Sequence, residues 1–393
     1  MALLEVNTPA LAREFILFQV RLYKDDPNYI RPLDKDIDET FDPKVNRTYR
    51  SKGSKAIRWL LKDEKGETIG RIAAFINTRT SNTYDQPTGG IGFFDCINDQ
   101  NAADALLDAA REWLRQRGME AMDGPINFGE RDKFWGLLID GYEQQNYGMH
   151  YNFPYYRTLF ENYGFRLYFN QYTYGRPVLD PATADMDRRM YERSANALKN
   201  PDISFRYIPK KEFDKAPEYF LHVYNKAWGH HKGVKPMNLE QAKKMFQKLA
   251  PIADERLIWF GFYKDEPIAF YISIPELNQL FKYVNGKLDL LGKIKLVWHK
   301  WRGSCTKMLG IVFGVVPEWH GKGVESAIVV EFSKLAWGKN FQYTMVEMNW
   351  IGDFNPKMMK VCEQIGARIV RTHATYRYLF DRDKEFKREE IIV

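Results

Sequence analysis

Three cysteines are spread over the 393 residues, at Cys96, Cys305 and Cys362. None stands at Cys-X-X-Cys spacing, which excludes a disulfide framework and a cysteine-held zinc. A reducing compartment follows as the expectation. No uninterrupted apolar run approaches the ~20 residues needed to cross a bilayer. The opening MALLEVNTPALAREF carries acidic residues and no apolar h-region, so it does not read as a signal peptide. A cytoplasmic protein without stable membrane association is therefore expected. The net charge of +7 favours anionic partners. Its lysines and arginines are scattered rather than gathered in a stripe, which argues against nucleic acid.

What the chain does have is a repeat. NFPYYRTLFENYGF (152–165) and FNPKMMKVCEQIGA (354–367) match at a constant offset: 356 less 154 is 202. Pro154 falls on Pro356, Glu161 on Glu363, Gly164 on Gly366 and Tyr174 on Tyr376. Each segment reads as a helix opened by proline and stopped by glycine. Two hairpin patterns, 57–76 and 257–274, repeat as well. Each half reads helix, hairpin, strand, helix, strand, helix, strand, which a mixed sheet covered by helices satisfies. The polar stretch 176–202 joins the halves and holds a short helix.

In the second half, GVVPEWHGKG (314–323) precedes a helical pattern. A strand, a glycine turn and a helix N-terminus make an anion cradle. Gly321 and Gly323 permit close approach, Lys322 adds charge, and His320 donates a hydrogen bond or caps the turn. Glu325 repels an anion if it points inward. The first half has NDQNAAD here, which is a poor phosphate host, so one site per chain is expected.

On these motifs the second half resembles the GNAT superfamily of N-acyltransferases, and the first half a degenerate copy. The whole is similar to bacterial tandem-GNAT proteins. The resemblance implies an α/β (α+β) fold of two domains, each a mixed, mostly antiparallel, splayed sheet flanked by helices. Boundaries are set at 1–178, a connecting segment 179–204, and an acyl-CoA-binding domain 205–393. It implies direct transfer of an acyl group from acetyl-CoA, or another acyl-CoA, to a small-molecule or peptide amine, without metal. The alternative is an inactive CoA-binding or protein-interaction protein. His320, Gly321, Lys322, Gly323 and Val324 correspond to the pyrophosphate loop, with His320 and Glu325 departing from the usual residues. Backbone groups near Val315 and Val316 are the implied oxyanion donors. Asn355 falls on the family's asparagine, and Cys362 replaces its tyrosine.

For the chemistry, Glu347 on the fifth strand reads as general base or as a structural carboxylate. Cys362 reads as an acid for the leaving thiolate or as a core residue. Tyr376 and Tyr378 read as acid hydroxyls or packing residues. Asn355 binds the pantetheine arm or caps the next helix. His230 and His231 lie in a loop where the resemblance implies an acceptor site, and they read as acceptor contacts or as part of an ordinary exposed loop. The aromatic stretch 123–156 lines a pocket or glues the halves together. The basic insertion 281–303 is a lid or a surface insertion packed against the other half. A basic amphipathic helix there suits a membrane surface too, but its glycines speak against that. A homo-oligomer is left open.

Overall fold

The computed structural model describes residues 1–83, 85–178, 186–228 and 236–392. The first half runs β1 (Ala2–Glu5), α1 (Pro9–Leu22), α2 (Asp34–Phe41), β2 (Lys55–Lys62), β3 (Thr68–Ile76), β4 (Thr88–Cys96), α3 (Gln100–Arg115), β5 (Ala121–Gly124), β6 (Leu137–Asp140), α4 (Tyr155–Tyr163) and β7 (Arg166–Pro177). The connecting segment carries α5 (Arg188–Ala197). The second half follows as β8 (Ile203–Tyr207), α6 (Ala216–Trp228), α7 (Leu239–Leu249), β9 (Ile258–Tyr263), β10 (Glu266–Pro275), α8 (Asn278–Phe281), α9 (Leu290–Trp301), β11 (Lys307–Val315), α10 (Val324–Ala336), β12 (Met345–Gly352), α11 (Pro356–Gln364) and β13 (Arg368–Leu379).

The repeat is real at the level of elements. Adding 202 to the bounds of β7 gives those of β13. The ends of the repeated helix behave as its residues dictate. Asn355 Oδ1 accepts the Met358 N–H at 3.2 Å and Pro356 occupies the first helical position. Gly164 and Gly366, at φ 106° and 75°, stop α4 and α11 in a conformation a side chain would strain. In α3, Asp99 caps Ala102 N, and the buried stripe Ala102, Leu106, Ala110 and Leu114 faces the sheet.

The described strands form one mixed sheet in the order β1-β2-β3-β4-β5-β13-β7-β12-β11-β10-β9-β8, with β6 on β13. Two pairs are parallel, β4 with β5 and β11 with β12; the other pairings are antiparallel. The halves exchange their last strands. β13 pairs with β5 of the first half, and β7 pairs with β12 of the second. The exchange makes the sheet continuous through the centre of the molecule.

In the second half, α10 buries Val324, Ile328 and Phe332 on one face of the sheet with Trp259 and Val315. On the other face, Phe220 of α6 and Phe246 of α7 pack on Phe260 and Phe270. The aromatic stretch 123–156 binds the halves: Tyr147 N donates to Glu276 Oε1 at 2.7 Å and Asn278 Nδ2 to the Gln145 carbonyl at 3.0 Å. Among the described residues no helix is long and apolar enough to cross a membrane.

Candidate functional site

β11 and β12 run paired only from Lys307–Gly310 against Met345–Met348. Beyond that level they part. β11 gains a residue there: Val312 faces Ile272 and Gly310 faces Ser273, leaving Ile311 as a bulge. β12 slips against β7 at the same level, between Met348 and Ile351. Bulges on both flanks bend the strands away from each other. The result is a narrow cleft of about 120 Å³ floored by Gly310, Ile311 and Met348 and walled by Phe332 of α10 and Met358 and Cys362 of α11. Its lining is mostly apolar, with Arg176, Ser333 and Asn349 as polar exceptions. Methionines 308, 348 and 358 give it a soft, adaptable surface.

The first half has the same bulge, but the cavity by its β4 and β5, lined by Gly89, Gly90, Asp123, Asn127 and Arg131, is far more polar. Phe93 sits at φ 50° where β4 slips against β3. The chain after β5 then stitches the strands together. Ile126 N donates to the Ile91 carbonyl at 2.7 Å, and a Cβ on Gly92 would lie 1.9 Å from the Ile126 carbonyl.

The glycine loop stands at the N-terminus of α10, whereas the cleft follows the helix from Val329 to Trp337. None of Val315, Val316, His320, Gly321, Lys322, Gly323 and Val324 lines the cleft. Gly321 and Gly323 have φ of 73° and 85°. Space around a Cβ on Gly321 is open, but one on Gly323 would meet the Arg193 carbonyl of α5 at 2.4 Å. His320 is exposed, and its Nε2 lies 2.9 Å from the Val315 carbonyl. The Val316 N–H donates to the Ile268 carbonyl at 2.9 Å, so the sheet already uses it. Val324 is in the core, and Lys322 lies exposed over Trp319 at 4.9 Å.

Glu347 is 5% exposed and points to the sheet face opposite the helix wall. Its carboxylate accepts from Lys307 at 2.7 Å, Arg371 at 2.5 Å and Asn146 at 2.6 Å. Burial pushes its pKa up, but the two cations outweigh burial and hold it below the ordinary carboxylate value. So placed, it joins strand β11, the exchanged β13 and the 141–150 loop of the first half, and it is a weak proton acceptor. Asn355 serves as the cap of α11. Burial pushes the Cys362 thiol up to about 12, which keeps it a neutral wall of the cleft.

Tyr376 and Tyr378 stand elsewhere. Strand exchange carries them into the first-half core, where Tyr376 Oη donates to Glu161 at 3.0 Å and Tyr378 packs on Tyr163. Their counterpart beside Cys362 is Tyr174 of β7. His230 and His231 lie outside the described residues. Lys307, Arg371 and Asn146 did not stand out in the sequence. Strand alternation in MVEMNWIG does put Val346 and Met348 on one face, which was the available signal for the cleft floor. Among the described residues no group of three or more His, Cys, Asp or Glu is placed to hold a metal.

No family model matches the chain. Protein YghO of Escherichia coli (strain K12) is 25% identical over 371 residues, 93% of this chain and 92% of its own length. The bacterial ceramide synthase of Caulobacter vibrioides (strain NA1000 / CB15N) is 24% identical over 382 residues, 96% and 97% of the two chains. Among solved structures, a tandem GNAT protein from the clavulanic acid biosynthesis pathway superposes with a TM-score of 0.53 at 9% identity, over 98% of this chain and 99% of that one. A GCN5-related glucosamine N-acetyltransferase region in a fungal multi-domain β-N-acetylglucosaminidase gives 0.54 at 14% identity, over 96% of this chain and 38% of the fungal one. The structure resembles GNAT-superfamily acetyltransferases, and it does so in the tandem arrangement over nearly the whole chain.

Proposed function

We propose that this protein is an acyl-CoA-dependent N-acyltransferase with one active cleft per chain, between β11 and β12. The observation that carries the reading is the opening at Ile311 and Met348, walled by apolar and methionine side chains. An amine nitrogen attacks the thioester carbonyl, the N–C bond forms and the C–S bond breaks. The proton the amine loses balances the one the CoA sulfur gains. Gly321 and Lys322, both exposed just before α10, are the candidate pyrophosphate contacts. Glu347 holds Lys307 and Arg371 in place, and with them the level at which the two strands separate.

Among acyl donors, one longer than acetyl is favoured. A chain of methylenes gains about 0.8 kcal/mol for each one buried in such a lining, and acetyl has none to bury. The likeness to a bacterial ceramide synthase points the same way, toward a long-chain amine as acceptor, because a ceramide is an N-acylated long-chain amine. The test is release of free CoA thiol from acetyl-, octanoyl- and palmitoyl-CoA with a panel of small, peptide and long-chain amines. Turnover with the longer donors and a long-chain amine supports the reading; turnover with acetyl-CoA and a small amine alone sinks the chain-length part. A binding protein without turnover is the second reading, and the tie of Glu347 to two cations favours it. A CoA-induced rise in melting temperature with no thiol release would select it.

A further inference from the structure

We infer that α9 is a docking helix for the surface of an anionic phospholipid bilayer. The inference stands on the helix itself and does not depend on the proposed acyl transfer. Leu290, Leu291, Ile294, Val297, Trp298 and Trp301 are all exposed, Leu290 at 74% and Trp301 at 82%. At 100° per residue these six fall within an arc of about 120°. A soluble helix ordinarily turns such an arc toward its core, and here the arc faces solvent.

The orientation is fixed by the opposite side of the helix. Leu296 packs on the cluster of Leu33, Leu277, Phe281 and Val284, and Gly292 is buried. His299 stacks on Tyr283 with ring centroids 3.5 Å apart and planes 3° apart. Asp289 caps the helix through Gly292 N at 2.8 Å. The Gly286 carbonyl accepts the Asp34 N–H at 2.9 Å, which ties the insertion to the first half. Gly286 precedes α9 and Gly292 lies within it, so the glycines that argued against an amphipathic helix do not break it.

Charge selects the occupant. Residues 281–303 carry Lys282, Lys287, Lys293, Lys295, Lys300 and Arg302 against one carboxylate, Asp289, which is occupied as the cap. Lys293 and Lys300 border the apolar arc on one side and Lys295 on the other. Leucine, isoleucine and tryptophan between flanking lysines match a bilayer interface, where apolar side chains enter the acyl boundary and ammonium groups meet lipid phosphates. Twelve residues span ~18 Å, too short to cross a bilayer, so docking is peripheral and reversible. Six residues after Trp301 the chain enters β11, whose Met308 and Gly310 line the cleft.

The experiment is flotation of the full chain with vesicles of phosphatidylcholine alone or with roughly one phosphatidylglycerol in three. The wild type should float with the anionic vesicles, and less so in high salt. Ile294→Glu with Trp301→Glu should cut the bound fraction roughly tenfold or more. Lys293→Glu with Lys300→Glu should abolish the preference for anionic lipid. Both substitutions are at exposed positions, so an unchanged melting temperature verifies the fold. No flotation of the wild type overturns the proposal, as does equal flotation of the double glutamate variant. A dimer that Ile294→Glu dissociates, with no vesicle binding, would assign the face to a second copy instead.

Discussion

Tyr174 and Tyr376 occupy the same place in the two copies of the repeat and stand in opposite lobes. Tyr174 is buried against Cys362, Met190 and Ile365 beside the cleft, while Tyr376 is buried among the first-half residues and bonds Glu161. The exchange of β7 and β13 is the cause. Each copy thus lends its last strand to the other, and neither half of the sheet is complete without both.

One consequence concerns the hydroxyls. Tyr376→Phe removes a bond to the half-exposed Glu161 and should cost ~0.5–1 kcal/mol. Tyr174 Oη is buried with no partner among the described residues, so Tyr174→Phe should be neutral or slightly stabilising. Urea unfolding measures both. In a chain that releases CoA thiol, Tyr376→Phe and Tyr378→Phe should leave the rate within about twofold, because neither side chain reaches the cleft. A loss of a hundredfold in either would place the reaction in the other lobe.

The two glycines of the loop should part company. Gly321→Ala meets only the positive φ and should cost ~1 kcal/mol. Gly323→Ala meets φ and the Arg193 carbonyl together, and ~2–4 kcal/mol is expected as α5 is forced off α10. Thermal unfolding separates the pair; equal costs would show that α5 does not close on the loop.

How far the sequence carried depended on the range of each interaction. Local rules gave the capped helices, the hairpins and the glycine stops, since Asn355, Pro356 and Gly366 act within a few residues. The offset of 202 gave the duplication because it needs only comparison of the chain with itself. Strand exchange was illegible: β7 fits either neighbour by pattern, and the choice rests on pairings such as Tyr174 with Met348 across the molecule. The same holds for Glu347, whose partners Asn146, Lys307 and Arg371 come from three distant segments. For α9 the pattern was visible but not its direction, because an amphipathic helix does not say which side the rest of the protein covers.

The cysteines give a third prediction. Burial pushes Cys96 and Cys362 up to about 12 and Cys305 up to about 11. Thiolate is the reactive form, so none should react with a disulfide reagent at pH 8 in the native state. All three should react once the chain is unfolded. A fast-reacting thiol in the native protein, mapped to Cys362 by mass spectrometry, would mean that the cleft opens to solvent and lowers its pKa.

The last prediction concerns acid. His150 and His373 are buried side by side, with Nε2 of His373 2.9 Å from the His150 carbonyl. Burial lowers their pKa values to about 3 and about 4. In the unfolded chain each takes up a proton near pH 6.5. Their contribution to stability is therefore complete above ~6.5 and declines as pH falls toward the folded values, by up to ~1.4 kcal/mol per pH unit for each. Glu347 adds a second loss lower down. Its folded pKa is depressed, so its contribution is present above ~4.3 and disappears as pH falls through the folded value. Denaturant melts from pH 7 to 4 should show the histidine slope, and His373→Gln should reduce it by about half. Glu347→Gln should cost ~3–5 kcal/mol at pH 7, because Arg371 and Lys307 lose their counter-charge, and the penalty should shrink below pH 4. A Glu347→Gln protein as stable as wild type would show that the buried cluster does not hold the two halves together.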